Sequence, residues 1–176
     1  MSVNDDLPWI AAALALIRAA VAKNIPTLGH CLGGQLMAKA LGGSVGRNPV
    51  KELGWGKVET VEGAAAAWLG DIATFDAFHW HGETFTIPPG ATRILNSRYC
   101  ENQAFVSGPH LGLQCHVEMT EAMIRLWSRH WSDENAVPSP SVQRPEEMVE
   151  NMEARIAAMR LAADRLYARW IGGLNA

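Results

Sequence analysis

The sequence predicts an α/β fold, and three observations predict it. First, the apolar run Ile25-Pro26-Thr27-Leu28 reads as a buried strand, and it passes through Gly29-His30-Cys31-Leu32-Gly33-Gly34-Gln35 directly into a short helix over 36–41. Second, short β-type runs separated by Gly and Pro turns fill residues 44–116. Third, helical patterns flank those strands on both sides. A parallel sheet is normally built from such βα units in succession, and 25–30 is the only strand here that feeds a helix cleanly.

The elements follow in order. Asp5-Asp6-Leu7-Pro8 reads as an Asp cap with Pro in the first turn of a helix over 9–23, ended by Asn24. Its Ala, Leu and Ile residues cover most faces, so it should be well buried. After strand 25–30 and the helix closed by Gly42-Gly43, residues 44–50 and 52–61 read as two β segments, with Gly54-Trp55-Gly56 as a bend or bulge. Residues 64–69 form a helical turn closed by Gly70, and 76–81 a strand leading into Gly82-Glu83-Thr84-Phe85. Strands are expected at 92–96, 103–107 and 111–116, the last two joined by a Gly108-Pro109 hairpin. Thr120 caps a helix to about Trp131, with Met123, Leu126, Trp127 and His130 on one side. Residues 132–144 look like a surface linker. A single long helix over 145–172 then carries Met148, Met152, Ile156, Met159, Ala163, Leu166 and Trp170 as one apolar docking stripe, with Gly172-Gly173 closing it.

The bulk properties narrow the class. A chain of 176 residues with 48% hydrophobic content suits one domain over 1–176 with a real core. A net charge of −3 argues against nucleic acid or an anionic membrane as partner. Cys31, Cys100 and Cys115 are odd in number and lack CxxC spacing, which points to a reducing compartment, and a cytoplasmic location is expected. The Ala/Leu-rich stretch 10–22 follows Asp5 and Asp6 and is interrupted by Arg18, so it reads as neither signal peptide nor membrane span.

The chemistry concentrates in two places. A strand that ends in Gly-x-Cys-x-Gly and turns at once into a helix is a nucleophile elbow. Gly29 and Gly33 would let strand and helix cross closely. The helix N-terminus behind Cys31 favours a thiolate, and the Leu32 N–H can support an oxyanion. A structural cysteine beside a Gly-rich turn is the plainer alternative. The second place is Gly112-Leu113-Gln114-Cys115-His116-Val117-Glu118. In extended chain, residues i and i+2 share a face, so Glu118 could fix the tautomer of His116 and leave its other nitrogen for a thiol. His79 and His81 also share a strand face, with Glu83 following. With His116 they could make a zinc site, but the spacing fits no zinc signature, and no metal and no cofactor are expected.

With the order Cys, His, Glu, the sequence resembles the class I (triad) glutamine amidotransferases. The resemblance rests on Gly-x-Cys-x-Gly-x-Gln at 29–35 and His-x-Glu at 116–118. It is closer to stand-alone GMP-synthase-like amidotransferases, through Lys51-Glu52-Leu53-Gly54-Trp55, Trp80-His81-Gly82-Glu83-Thr84-Phe85, Asn102-Gln103-Ala104-Phe105 and Leu113-Gln114-Cys115-His116. It covers about residues 5–131. The resemblance implies a three-layer, flavodoxin-like sheet. It implies that Cys31 attacks the γ-amide of glutamine, or of another γ-glutamyl amide, and that His116 and Glu118 complete the triad. Gln35 and Asn102 match substrate-contacting positions, and His81 is expected at the mouth of the site. His30 stands where the family often has a small or apolar residue, and Val117 where Pro is common. The resemblance also implies strands, a helix and a second oxyanion loop ahead of the matched region, so the domain reads as N-terminally truncated. Such a domain would expose the flank of strand 25–30 and a face of helix 9–23. The alternative to an active enzyme is therefore an impaired domain serving as a binding subunit or fragment. A P-loop is absent from the sequence, so a synthetase partner would be a separate polypeptide. Neither the ammonia acceptor nor the oligomeric state is legible.

Overall fold

The computed structural model describes residues 1–129 and 139–174. Its elements are α1 (Pro8–Ala22), β1 (Leu28–His30), α2 (Leu32–Ala40), β2 (Val45–Thr60), α3 (Ala66–Leu69), β3 (Thr74–Phe85), β4 (Thr92–Ser97), β5 (Ala104–Ser107), β6 (His110–Leu113), α4 (Glu121–Arg129), α5 (Pro145–Val149) and α6 (Met152–Leu174). The six strands form one sheet in the order β1-β6-β5-β4-β2-β3. Strand alternation sends Phe105 to one face, against Met37 and Ala38 of α2, and Ala104 to the other. Helix α2 covers the first face, and α1 packs on α2. The second carries the main core, where Phe78, Leu111 and Leu113 meet Met148, Met159 and Leu166. The expected three layers are present.

The sheet is mixed. Among the named strands of the described residues, β1 and β6 run parallel and the other four pairs are antiparallel. After the elbow helix the chain returns through hairpins, and hairpins give antiparallel neighbours. The two β segments expected at 44–50 and 52–61 are one bulged strand. Its register slips between Arg47 and Glu52, not at Gly54-Trp55-Gly56. Pro49 explains the place: it has no N–H to give the ladder. The Asn48 amide bonds the Val50 and Tyr99 carbonyls there, at 2.8 and 2.9 Å. Gly54 remains in register with His79 but has φ +100°, and a Cβ there would lie 2.4 Å from Gln143 Oε1.

That contact alters the reading of 132–144. Residues 130–138, with His130 and Trp131, lie outside the described residues. Residues 139–143 are no loose linker: Leu53 N–H bonds Ser141 O, Gln143 N–H bonds Leu53 O, and Val142 is buried. The long C-terminal helix is broken. Glu150 is extended and Asn151 has φ +50°, so α5 stops before α6 starts. Helix α6 continues through Gly172 and Gly173 to Leu174, so the pair does not close it. The apolar stripe is buried from Met148 through Met152, Ile156, Met159 and Ala163 to Leu166, and Trp170 packs partly against the core.

The first helix is less buried than expected. It docks through Ile10 and Leu14 on Leu36 and Ala40, while Trp9 and Leu16 are 41% and 71% exposed. One stripe at i, i+4 suffices against a single helix, and the remaining Ala and Leu face outward. Its N-cap is Leu7 without a side-chain bond, and the Asp5 carboxylate instead accepts from Ser2 N–H at 2.8 Å. In α4 the buried residue on the apolar side is Ile124, and Leu126 is 52% exposed.

Candidate active site

The elbow builds the site. Cys31 follows β1 directly and has φ +48°, ψ −106°, a conformation L residues seldom hold. Two backbone bonds enforce it: Cys31 N–H to Leu113 O at 2.8 Å and Gln35 N–H to Cys31 O at 2.9 Å. The close crossing depends on Gly29 and Gly34, not on Gly29 and Gly33. A Cβ on Gly29 would fall 2.4 Å from the Gly33 carbonyl carbon, and one on Gly34 2.3 Å from Leu113 O. A Cβ on Gly33 would meet open space. Leu32 opens α2, so its N–H is one of the first-turn donors that no helical carbonyl accepts.

The parallel β1–β6 pair places the second stretch beside the elbow. Just beyond β6, His116 exchanges backbone bonds with Phe78 of β3, at 2.8 and 3.1 Å. Trp127 of α4 meets the imidazole edge-to-face, centroids 5.0 Å apart. His116 Nδ1 lies 2.5 Å from Glu118 Oε1, as i, i+2 alternation predicts. His116 Nε2 is buried without a hydrogen-bond partner among the described residues. Burial pulls the His116 pKa down, but the neighbouring Cys31 sulfur and the Glu118 carboxylate outweigh it and lift it to about 9. Burial pushes Glu118 up, but its bond to His116 and the charge on that ring outweigh this and hold it below the usual carboxylate range. Cys31, His116 and Glu118 thus come together.

A cavity of about 390 Å³ opens onto the thiol, walled by Cys31, Leu32, Gln35, Trp80, His81 and Glu83. The thiol lies 3.9 Å from Trp80 O. Gln35 is 4% exposed, and its amide bonds Glu83 O at 3.2 Å and Gln114 Oε1 at 3.1 Å. Asn102 is not brought to this cavity. Its amide bonds Phe85 O at 2.9 Å, and it lines a separate pocket with Arg93 and Tyr99. The other cysteines are withdrawn: burial raises Cys100 to about 11 and Cys115 further still.

His81 reaches the cavity wall from a buried network. Its Nδ1 lies 3.1 Å from Glu83 O, and its Nε2 3.1 Å from Glu52 Oε2. Glu52 also accepts from Ser97 Oγ at 2.9 Å and Gln103 Nε2 at 2.8 Å. His79 belongs to the same network, its Nε2 3.3 Å from Gly56 O. Among the described residues, Glu52, His79 and His81 are the group whose ligand atoms come within 4.8 Å of one another and could hold a metal. The set suggested by strand alternation, with Glu83 and His116, is not the one assembled.

Sequence reasoning missed Gln114, whose Nε2 lies 3.6 Å from Cys31 Sγ. Its place two residues before His116 was the available signal. It also missed Glu52, which no local pattern ties to His81, and Tyr167, which reaches His30 from α6 at 3.1 Å.

Residues 3–123 match the family Glutamine amidotransferase class-I. The chain is 32% identical over 142 residues to the glutamine amidotransferase-like protein YfeJ of Salmonella typhimurium, across 77% of this chain and 59% of that one. It is 35% identical over 99 residues to a subunit of the glutamine-hydrolyzing GMP synthase of Sulfolobus acidocaldarius, across 54% of this chain and 52% of that one. The chain therefore spans less than two thirds of these relatives. A solved glutamine amido transferase from Methylobacillus flagellatus superposes with TM-score 0.93 at 46% identity, covering 99% of this chain and 73% of that one. A Thermotoga maritima glutamine amidotransferase gives 0.85 at 32%, covering 97% and 74%.

Proposed function

Because the chain belongs to the class I glutamine amidotransferase family, we propose that it hydrolyses the γ-amide of glutamine, or of another γ-glutamyl amide, through a thioester on Cys31. The observation that carries this reading is a single one. The buried His116 imidazole is held at Nδ1 by Glu118 Oε1, 2.5 Å away, and has Cys31 as its other neighbour. A cationic imidazole stabilises a thiolate, which is the nucleophile that acyl transfer needs.

The steps follow from that charge state. The Cys31 thiolate adds to the γ-carbonyl carbon. The Leu32 N–H, at the positive end of α2, faces the oxyanion that develops. His116 gives its proton to the leaving nitrogen, and ammonia departs. Water then attacks the thioester, His116 takes its proton, and the γ-carboxylate product leaves with the thiolate restored. Glu118 stays ionised and holds the ring through Nδ1. Gln35, pinned by Glu83 O and Gln114, forms part of the substrate cavity, with His81 on the wall. We further propose that ammonia is delivered to a synthetase on a separate polypeptide. The similarity to one subunit of a GMP synthase supports that arrangement.

Ammonia release from glutamine tests the reading. Wild-type protein should release ammonia and glutamate in equal amounts, and Cys31→Ala should release neither. Equal release by the two proteins would overturn it.

A further inference from the structure

The triad has a second layer that starts inside the elbow itself. Glu118 presents one oxygen to His116. Its other oxygen, Oε2, is buried without a hydrogen-bond partner among the described residues and lies 3.5 Å from His30 Nε2. His30 is the residue immediately before the nucleophile. The same nitrogen lies 3.1 Å from the Tyr167 hydroxyl, which comes from the middle of α6. The two rings meet edge-on, with centroids 6.0 Å apart.

The protonation pattern follows from these contacts. A neutral imidazole has one N–H and one lone pair. If the Nε2 lone pair faced Glu118 Oε2, two acceptors would oppose each other out of water, which costs free energy. The proton therefore sits on Nε2, turned toward the carboxylate, and the Tyr167 hydroxyl accepts beside it. Burial lowers the His30 pKa, so the ring stays a neutral donor at neutral pH and adds no second cation next to His116. Burial also raises Tyr167, which remains a hydroxyl. The ionisable groups that act on this pair are Glu118 and His116 on His30, and Glu118 and Cys115 on Tyr167.

We propose that His30 and Tyr167 are positioning residues: His30 holds the free oxygen of Glu118 so that the carboxylate stays on His116, and Tyr167 locks His30, which links helix α6 to the catalytic triad. Neither lines the cavity that opens onto Cys31. They therefore act on the reacting group through Glu118 and not on the substrate. The inference rests on the proposed triad, and it predicts a split between kinetic parameters that simple loss of packing does not produce.

The test uses the whole chain and a probe that needs no substrate. Iodoacetamide alkylation of Cys31 is followed by mass spectrometry from pH 5 to 9 for wild type, His30→Ala, His30→Gln and Tyr167→Phe, with glutaminase kinetics run alongside. A carboxylate that turns away no longer supports the His116 imidazolium, and the thiolate loses its partner. In His30→Ala the low-pH limb of alkylation should move up by about half a pH unit or more. Turnover should fall about tenfold, with KM for glutamine within about twofold. His30→Gln restores an N–H donor and should recover most of both. Tyr167→Phe should shift the limb in the same direction by less, and it covers the case in which His30→Ala fails to fold. An alkylation profile unchanged in both His30→Ala and Tyr167→Phe overturns the proposal, as does a change in KM alone. If wild type hydrolyses no glutamine but the limb still moves, the positioning role stands and the assigned substrate is wrong.

Discussion

Acidification should weaken this fold from behind the active site, through His79. The side chain is 1% exposed on β3, in the network of Glu52, Gln103 and His81. Burial is the largest influence on it and, despite the attraction of Glu52, lowers its pKa to about 4 from an ordinary 6.5. A histidine depressed by folding is neutral in the native protein and cationic in the unfolded chain between those values. Its contribution is therefore fully present above pH 6.5 and is lost as pH falls toward 4. For a single site the loss between pH 7 and pH 5 is about 2 kcal/mol. Glu52, also held below its ordinary range, adds to the loss only at lower pH. His30 and His110, lowered by burial, add slope of the same sign. The comparison must therefore be differential. Urea unfolding of wild type and His79→Gln at pH 7 and pH 5 supplies it. The variant should lose about 2 kcal/mol less than wild type over that interval, whatever its stability at pH 7. Equal losses would refute the burial argument and mean that His79 is already protonated in the fold.

The remaining predictions concern the elbow and the triad. Gly34→Ala drives a Cβ toward Leu113 O and should lower the melting temperature by about 5–10 °C, whereas Gly33→Ala should leave it within about 2 °C, both by calorimetry. If the two fall equally, the crossing is not where the backbone places it. His116→Ala should reduce glutamine turnover by about 10²–10⁴-fold, and Glu118→Gln by less, because the amide oxygen can still accept from Nδ1. Glu118→Gln should also narrow the alkaline range in which His116 stays protonated, read from the imidazole NMR shifts, since it removes one of the two groups that lift that ring to about 9. An unchanged titration would contradict the Glu118 contact.

The proposed nucleophile and base were legible in the sequence because each is encoded in a few adjacent residues. Gly-His-Cys-Leu-Gly-Gly is a local strand-to-helix turn, to which β6 adds one bond through Leu113 O, and His116 and Glu118 need only strand alternation to meet. What escaped depends on distant chain. Glu52 and Gln103 are 51 residues apart and meet only across strands of the sheet. Tyr167 looked like one more residue of a helix whose stripe is set by core packing, and nothing local ties it to His30, 137 residues away. The two β segments merged because Pro49 breaks the ladder without ending the strand. The last helix broke at Asn151, where a left-handed residue outweighs continuous helical periodicity on both sides. Buried extent was misjudged in α1 because Ala and Leu do not reveal whether a second surface lies against them.

The central claim is that Cys31 is the nucleophile toward a γ-glutamyl carbonyl, and a glutamine-like diazoketone tests it most directly. Wild-type protein is treated with the reagent with and without excess glutamine, digested, and mapped by mass spectrometry. The account predicts one adduct, on Cys31, formed more slowly when glutamine is present and abolished in His116→Ala at short times. An adduct on Cys100 or Cys115 in preference to Cys31, or labelling of Cys31 that glutamine does not slow, would contradict it.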